Sequence, residues 1–286
     1  MSRTYLEFND GTSAKFWELV LDGTSFTTRY GRIGSTGQTT DKTFGSRAEA
    51  RHEALKLILA KSKKGYAPVQ RPTDPVTKKE LRETYLTEQE PYIKPMIDMA
   101  QSATLHKGDV VFTGSYLLDL ANDIASEGNI IVIDGDLTCI ADETHWENRG
   151  DFSNDVLLVT GDLFVRNLYL DEVGYVIVLG NAHAQNILVA YGDNGGALQI
   201  GKDLEADVVI ATTYFMVGVE GDVHVEHIFG DSTYASDFVD EERVINMYDE
   251  QERLVEEVIE DEDEGADGLL IYQRLKQNLP IFREES

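Results

Sequence analysis

One cysteine, Cys139, stands in 286 residues. That excludes an internal disulfide and suits a reducing compartment. No apolar run approaches the roughly 18 residues of a membrane-spanning helix. The opening MSRTYLEFND has no apolar core of the kind a secretory signal needs. These absences point to a soluble, cytoplasmic protein with no membrane partner. Nucleophile elbows, phosphate-binding glycine loops, paired cysteines and nicotinamide fingerprints are all missing. The stretch HVEH, His224 to His227, is the nearest approach to a metal set. On a strand His224 and Glu226 share a face and His227 points away, which splits the set. The expectation is a protein that is not an enzyme, with no catalytic residues, no cofactor and no metal.

Basic residues are scarce, with 25 Lys and Arg against 52 Asp and Glu and a net charge of −27. They are also unevenly placed. Met1 to Arg82 holds 15 basic and 9 acidic residues, a charge of +6, and the rest holds 10 and 43, a charge of −33. A basic head on an acidic body suggests separate roles for the two parts. The body alone, with −33 and no catalytic motif, would suit capture of a basic protein, as an antitoxin, immunity factor or inhibitor does. Prolines number six, and three lie between Ala67 and Thr77. Such density marks an extended connection. Thr77 and Glu80 then form a capping box for a helix, and a second helical segment is expected from Ile93 to Leu105.

Within the head, the runs RTYLEF, KFWELVLD, SFTTRYGRI and TTDKTF are separated by NDGTS, DGT and GSTGQ. Asp-Gly steps punctuate hairpins, so an antiparallel meander is expected. Ser46 and Glu49 form a second capping box, followed by an apolar stripe of Ala48, Leu55, Ile58 and Leu59, with Gly65 as the C-cap. Between strand and helix runs TRYGRIGSTGQT, Thr28 to Thr39, with two arginines, an aromatic, three glycines and no acid.

These residues resemble a WGR domain. The tripeptide that names the family is Tyr30-Gly31-Arg32 here, so its aromatic is changed. Gly34, Gly37-Gln38, Phe44, Glu49-Ala50 and Lys64-Gly65-Tyr66 match the rest of the pattern. WGR domains accompany the catalytic domain of DNA-dependent poly(ADP-ribose) polymerases and occur in bacterial proteins related to a molybdate-metabolism regulator. The resemblance implies DNA or RNA ends as partners. By it, Tyr30 stacks on a terminal base and Arg32 holds the backbone. Lys63 is a further phosphate contact beside the helix end, and Arg29 and Lys42 are added from charge. Base stacking on an aromatic is worth about 1–3 kcal/mol, and an arginine fork matches phosphate geometry. WGR domains also serve as protein-contact scaffolds, which keeps the acidic-inhibitor alternative open.

From about residue 104 the signal is repetition. NIIVIDGDLTC, VLLVTGDLFV, VIVLGNAHAQ, ALQIGKDLEA and FMVGVEGDVHV each join an aliphatic run to a polar step and a second run. The steps begin at Gly135, Gly161, Gly180, Lys202 and Gly221, spaced 26, 19, 22 and 19. Asn167, Asn186, Asp207 and His227 keep the same beat. A period near 20 with β-branched runs indicates a β-solenoid with glycines at its corners. Leucine-rich repeats are set aside because no asparagine ladder with regular leucines is seen. The rungs resemble, in pattern only, those of bactofilins, polymer-forming bacterial proteins.

The fold expected is mainly β: a WGR-like domain over 1–70, a linker and helical cap over 71–103, a β-solenoid over 104–236, and an acidic helical cap over 237–286. The cap would be one long acidic helix from Asp237 to Glu264, then a short helix stopped at Pro280. His145-Trp146 is expected in a loop.

Overall fold

The structure, a computed structural model, describes residues 2–69, 73–84, 102–120, 129–147, 155–171, 174–189, 196–211, 215–230, 239–247, 249–261 and 265–283. The head is an antiparallel sheet of β1 (Ser2–Asn9), β2 (Ala14–Asp22), β3 (Ser25–Arg32), β4 (Gln38–Thr43) and β5 (Ala67–Pro68), in the order β4-β3-β2-β1-β5. Helix α1 (Arg47–Ser62) starts where expected: the Ser46 side chain accepts from the Glu49 amide at 3.1 Å, and Glu49 accepts from the Gly45 amide at 3.0 Å. Ala50, Ala54, Leu55 and Ile58 of α1 pack with Leu6, Trp17, Leu19 and Phe26 of the sheet.

Beyond β6 (Thr73–Pro75) and α2 (Lys78–Thr84), whose Thr77–Glu80 capping box is made, the chain winds into a parallel β-solenoid. Each turn feeds three ladders. The first stacks Ser102–Lys107, Asn129–Asp134, Asp155–Val159, Gly174–Val178, Gly196–Ile200 and Phe215–Val219. The second stacks Val110–Phe112, Leu137–Cys139, Leu163–Phe164 and Ala182–His183, then the first residues of Leu204–Ala211 and Val223–Gly230. The third stacks Thr144–Glu147, Asn167–Asp171 and Asn186–Val189 on the later residues of those two long strands, and ends in Val244–Asn246. The ladders therefore begin at Ser102 and continue past 236, wider than the expected solenoid. Ser102 to Leu105, expected as the end of a helix, is strand, and the segment before it lies outside the described residues. His145-Trp146 is also strand, not loop, with Trp146 buried.

The polar steps are corners at which backbone stacks on backbone. A Cβ on Gly135 would lie 2.5 Å from the Gly108 carbonyl carbon, and one on Gly161 would lie 2.7 Å from that of Gly135. At these corners glycine allows the close approach, while Lys202 takes the equivalent place one turn on, its amide donating to the Gly180 carbonyl at 3.1 Å. The next residue of each step forms a second ladder of side chains. The Asp136 carboxylate accepts from the Asp162 amide at 2.8 Å, Asp162 from the Asn181 amide at 2.8 Å, Asn181 from the Asp203 amide at 3.2 Å, and Asp203 from the Asp222 amide at 3.0 Å. Burial, with Asp162 and Asp109 on either side, raises the Asp136 pKa. An asparagine stack is present after all: Asn186 donates to Asn167 at 2.8 Å, both buried.

Each of the three outer faces is covered over part of its length, with Met216 of the first left 42% exposed. Leu81 of α2 packs on Ile130, Val132, Val156 and Leu158 of the first ladder. Ile140 and Phe164 of the second enter the core of the head. Val208, Ile210 and Phe229 of the third pack against Leu254, Val258, Ile271 and Tyr272. The last two belong to α3 (Gly268–Lys276), capped by Asp267. Among the described residues, α2 and α3 thus pack along the sides of the solenoid. The long acidic helix is not formed: its described residues make short 3-10 turns and the strands Val244–Asn246 and Ile259–Asp261. Burial of Val244, Ile245, Met247, Leu254 and Val258 takes precedence over helical propensity there.

Charge fixes the head to the second and third ladders. Arg51 of α1, 1% exposed, pairs with Asp207 and lies 3.9 Å from Glu205; Arg47 reaches Glu205 at 2.5 Å and His52 reaches Asp207 at 2.6 Å. At the other edge Arg3 joins Asp109 at 2.5 Å and Glu18 at 2.7 Å, and Thr4 shares a buried hydrogen bond of 3.0 Å with Thr138. Burial works to raise the Glu205 pKa but is outweighed by His183 and Arg47, which bring it down from 4.5 to about 2. A depressed carboxylate stabilises the fold above its unfolded value and loses that contribution as pH falls through the folded one. Docking of the head should therefore weaken as pH falls from 4.5 towards about 2. Near-ultraviolet circular dichroism across that range should show the transition, and Glu205→Gln should flatten it.

Candidate nucleic-acid interface

The segment from Tyr30 to Gln38 leaves β3, turns on glycines and returns as β4. Gly37 has φ +76°, and a Cβ there would lie 2.7 Å from the Phe16 ring and 2.9 Å from the Tyr30 carbonyl oxygen. The turn closes only with glycine at that point. It walls a groove of about 590 Å³ lined by residues including Lys15, Phe16, Tyr30, Arg32, Gln38 and Tyr66. Tyr30 is 39% exposed, high for a large aromatic on a strand.

Pairing of β2 with β3 sets Lys15 opposite Arg32 and Trp17 opposite Tyr30. Like charges directly opposite across strands are destabilising. Both side chains are exposed, and among the described residues neither has a carboxylate partner. A local rule broken in this way is characteristic of a functional site. Lys61 completes the surroundings. Its ammonium lies 4.9 Å from the Tyr66 ring centroid, 5.5 Å from Trp17 and 6.0 Å from Tyr30. Burial, then Lys64 and Lys15, lower its pKa.

The five residues read from the sequence are not one cluster. Tyr30 and Arg32 share the groove. Arg29 is a buttress: it donates to Glu18 at 2.6 Å, lies 4.9 Å over the Phe16 ring and reaches the Thr36 carbonyl at 3.4 Å. Burial works to raise the Glu18 pKa and is outweighed by the hydrogen bonds from Arg29 and Arg3, which lower it. Lys42 sits on the outer strand opposite Phe26, four residues along from the Tyr30–Gln38 pair, with Glu53 within its field. Lys63 lines a different groove, between α1 and the solenoid. Lys15, Lys61 and Tyr66 went unassigned. Lys15 could have been found from the hairpin register; Lys61 is hidden among the lysines at the end of α1. In the body, His224 and Glu226 are exposed while His227 meets the Phe282 ring edge-on with centroids 4.9 Å apart, and no group of three metal-binding side chains occurs among the described residues.

Comparison with known proteins agrees with the head's architecture. The WGR domain family model matches residues 2–73. The uncharacterized protein YfeS of Escherichia coli K12 is 42% identical over 59 residues, which is 21% of this chain and 24% of YfeS. The chain thus matches about a quarter of that relative's length. A crystal structure of a Bacteroides fragilis protein aligns over 76% of this chain and 66% of its own at 18% identity, with a TM-score of 0.23, which carries no argument.

Gly37→Ala should destabilise the head by about 1–3 kcal/mol, from strain and the clash with Phe16. Gly34→Ala, at φ +86° with open space around its Cβ, should cost less. Thermal denaturation of the two variants tests the order.

Proposed function

With residues 2–73 a WGR domain, we propose that this protein is a non-catalytic adaptor whose head contacts the end of a nucleic-acid strand while its acidic body engages a protein partner. The observation that carries the reading is the exposed Tyr30 ring beside Arg32 and Lys15, two cations facing each other across strands. Tyr30 offers a face for a terminal base. Arg32 offers a fork for its phosphate, and Lys15 adds a point charge. Glu18, the nearest acid of β2, is already held by Arg3 and Arg29, so it presents little free negative charge to a phosphate. An anion in the groove would relieve the repulsion between Lys15 and Arg32.

A second reading has its own support. The head is pinned to the body through the buried Arg51, and residues after Arg82 carry −33. In that case the head is scaffold and the acidic body blocks a basic protein, as an antitoxin or immunity factor would.

Binding of 5′-phosphorylated duplex and single-stranded DNA, followed by fluorescence anisotropy across a salt series, separates the two. The nucleic-acid reading expects Arg32→Ala to weaken binding roughly tenfold or more. It also expects the log–log salt slope to fall by about 0.7–0.9. Tyr30→Ala should lose about 1–3 kcal/mol, most clearly on single strands. Equal binding by wild type and Arg32→Ala rejects it.

A further inference from the structure

The second groove has no role in the reading above. It lies between α1 and the corner of the solenoid where the second ladder passes into the third, with a volume of about 460 Å³. Its rim carries His52, Lys56 and Lys63 from the head and Arg166 from the body, over a floor that includes Leu55 and Leu59. No acidic residue lines it, although the body holds only 10 basic residues against 43 acidic. Two of the rim charges have partners that are easily exchanged. Arg166 pairs with Asp142, whose side chain is 78% exposed, and Lys56 pairs at 2.8 Å with Glu53 while itself 73% exposed. Exposed pairs of this kind are worth little and are screened by solvent. Lys63 has no carboxylate partner among the described residues.

The two grooves flank the same turn of helix. Lys61 meets the Tyr30 and Tyr66 rings on one side, and Lys63 lines the second groove on the other. Two residues apart on a helix means roughly 200° of rotation. Lys64, exposed at the helix end, acts by its charge on Lys61. A strand whose end sits against Tyr30 and Arg32 would meet Lys61 and Lys64 as it leaves, and then the second groove.

We propose that the groove between α1 and the solenoid is a second anion site, which takes backbone phosphates of the same strand a few nucleotides from its end. This rests on the nucleic-acid reading of the first groove. It assigns the acidic body a direct part in binding, through Arg166. The guanidinium leaves the exposed Asp142 carboxylate and turns its fork to a phosphate, while Gln185, which accepts from Arg166 Nε at 3.2 Å, keeps the side chain aimed at the groove.

The test uses the full chain and 5′-phosphorylated single strands: a dinucleotide, and an oligonucleotide of about eight residues, within the span of known single-strand sites. Wild type should bind the longer strand more tightly than the dinucleotide. Arg166→Gln should lose roughly tenfold on the longer strand. Its salt slope there should fall by about 0.7. Its dinucleotide affinity should be unchanged. Lys63→Ala should behave in the same way, which guards against a folding defect peculiar to Arg166. Arg32→Ala should lose both ligands. If Arg166→Gln and Lys63→Ala follow wild type on the longer strand, the second site is overturned while the first reading stands. If Arg32→Ala has no effect, the first reading fails and the strand path falls with it. Inorganic phosphate competing as well as the strand does, at equal phosphate concentration, would also overturn the path, since it would mark a site for a free anion.

Discussion

The arrangement depends on one buried guanidinium. Arg51, on the inward face of α1, is 1% exposed and is met by Asp207 and Glu205 from a single solenoid strand. Such a charge is tolerable only when paired, and removal of one partner from a buried pair costs about 3–5 kcal/mol. The acids in turn draw on the head: Arg47, Arg51 and His52 offset two like charges close together on one strand, of which Glu205 also has His183 of the solenoid at 3.3 Å. Each half therefore completes the other's electrostatics. The groove at Tyr30 and Arg32 is presented at a set angle to the body, not on a tether.

A parallel solenoid leaves an outer face on every ladder, and here each face has its own cover. This explains a sequence feature that a strand buried on one face would not show. The runs IIVI, VLLV and VIVL are aliphatic at consecutive positions, as strands buried on both sides must be. Val156 and Leu158 meet α2, while Leu157 and Val159 point into the solenoid. The repeat period and the corner glycines were legible because both follow from local geometry. The placement of the covers was not, because it depends on which outward aliphatics meet which distant segment. The stretch after residue 239 illustrates this: its acidic character suggests a helix, yet Ile245, Met247 and Val258 extend the cover of the third ladder.

The candidate site divides along the same line. Tyr30, Arg32 and the turn glycines were legible as a contiguous motif. Arg29 and Lys42 were chosen by charge and Lys63 by its place beside the helix end, and neither says which way a side chain faces. Arg29 proves to be tied into a chain that runs Asp109, Arg3, Glu18, Arg29, linking the solenoid to the wall of the groove. Lys63 faces the other way, towards Arg166. The basic head and acidic body thus meet in a seam that carries both the clasp and a second basic groove.

The central claim is that the head and solenoid form one body held by this clasp. Small-angle X-ray scattering of the wild-type chain and of the double variant Glu205→Gln, Asp207→Asn tests it most directly. The account predicts a wild-type profile that fits the docked arrangement, and a larger radius of gyration in the variant with its solenoid intact. A wild-type profile that requires separated head and body, or a variant profile identical to a docked wild type, would contradict it.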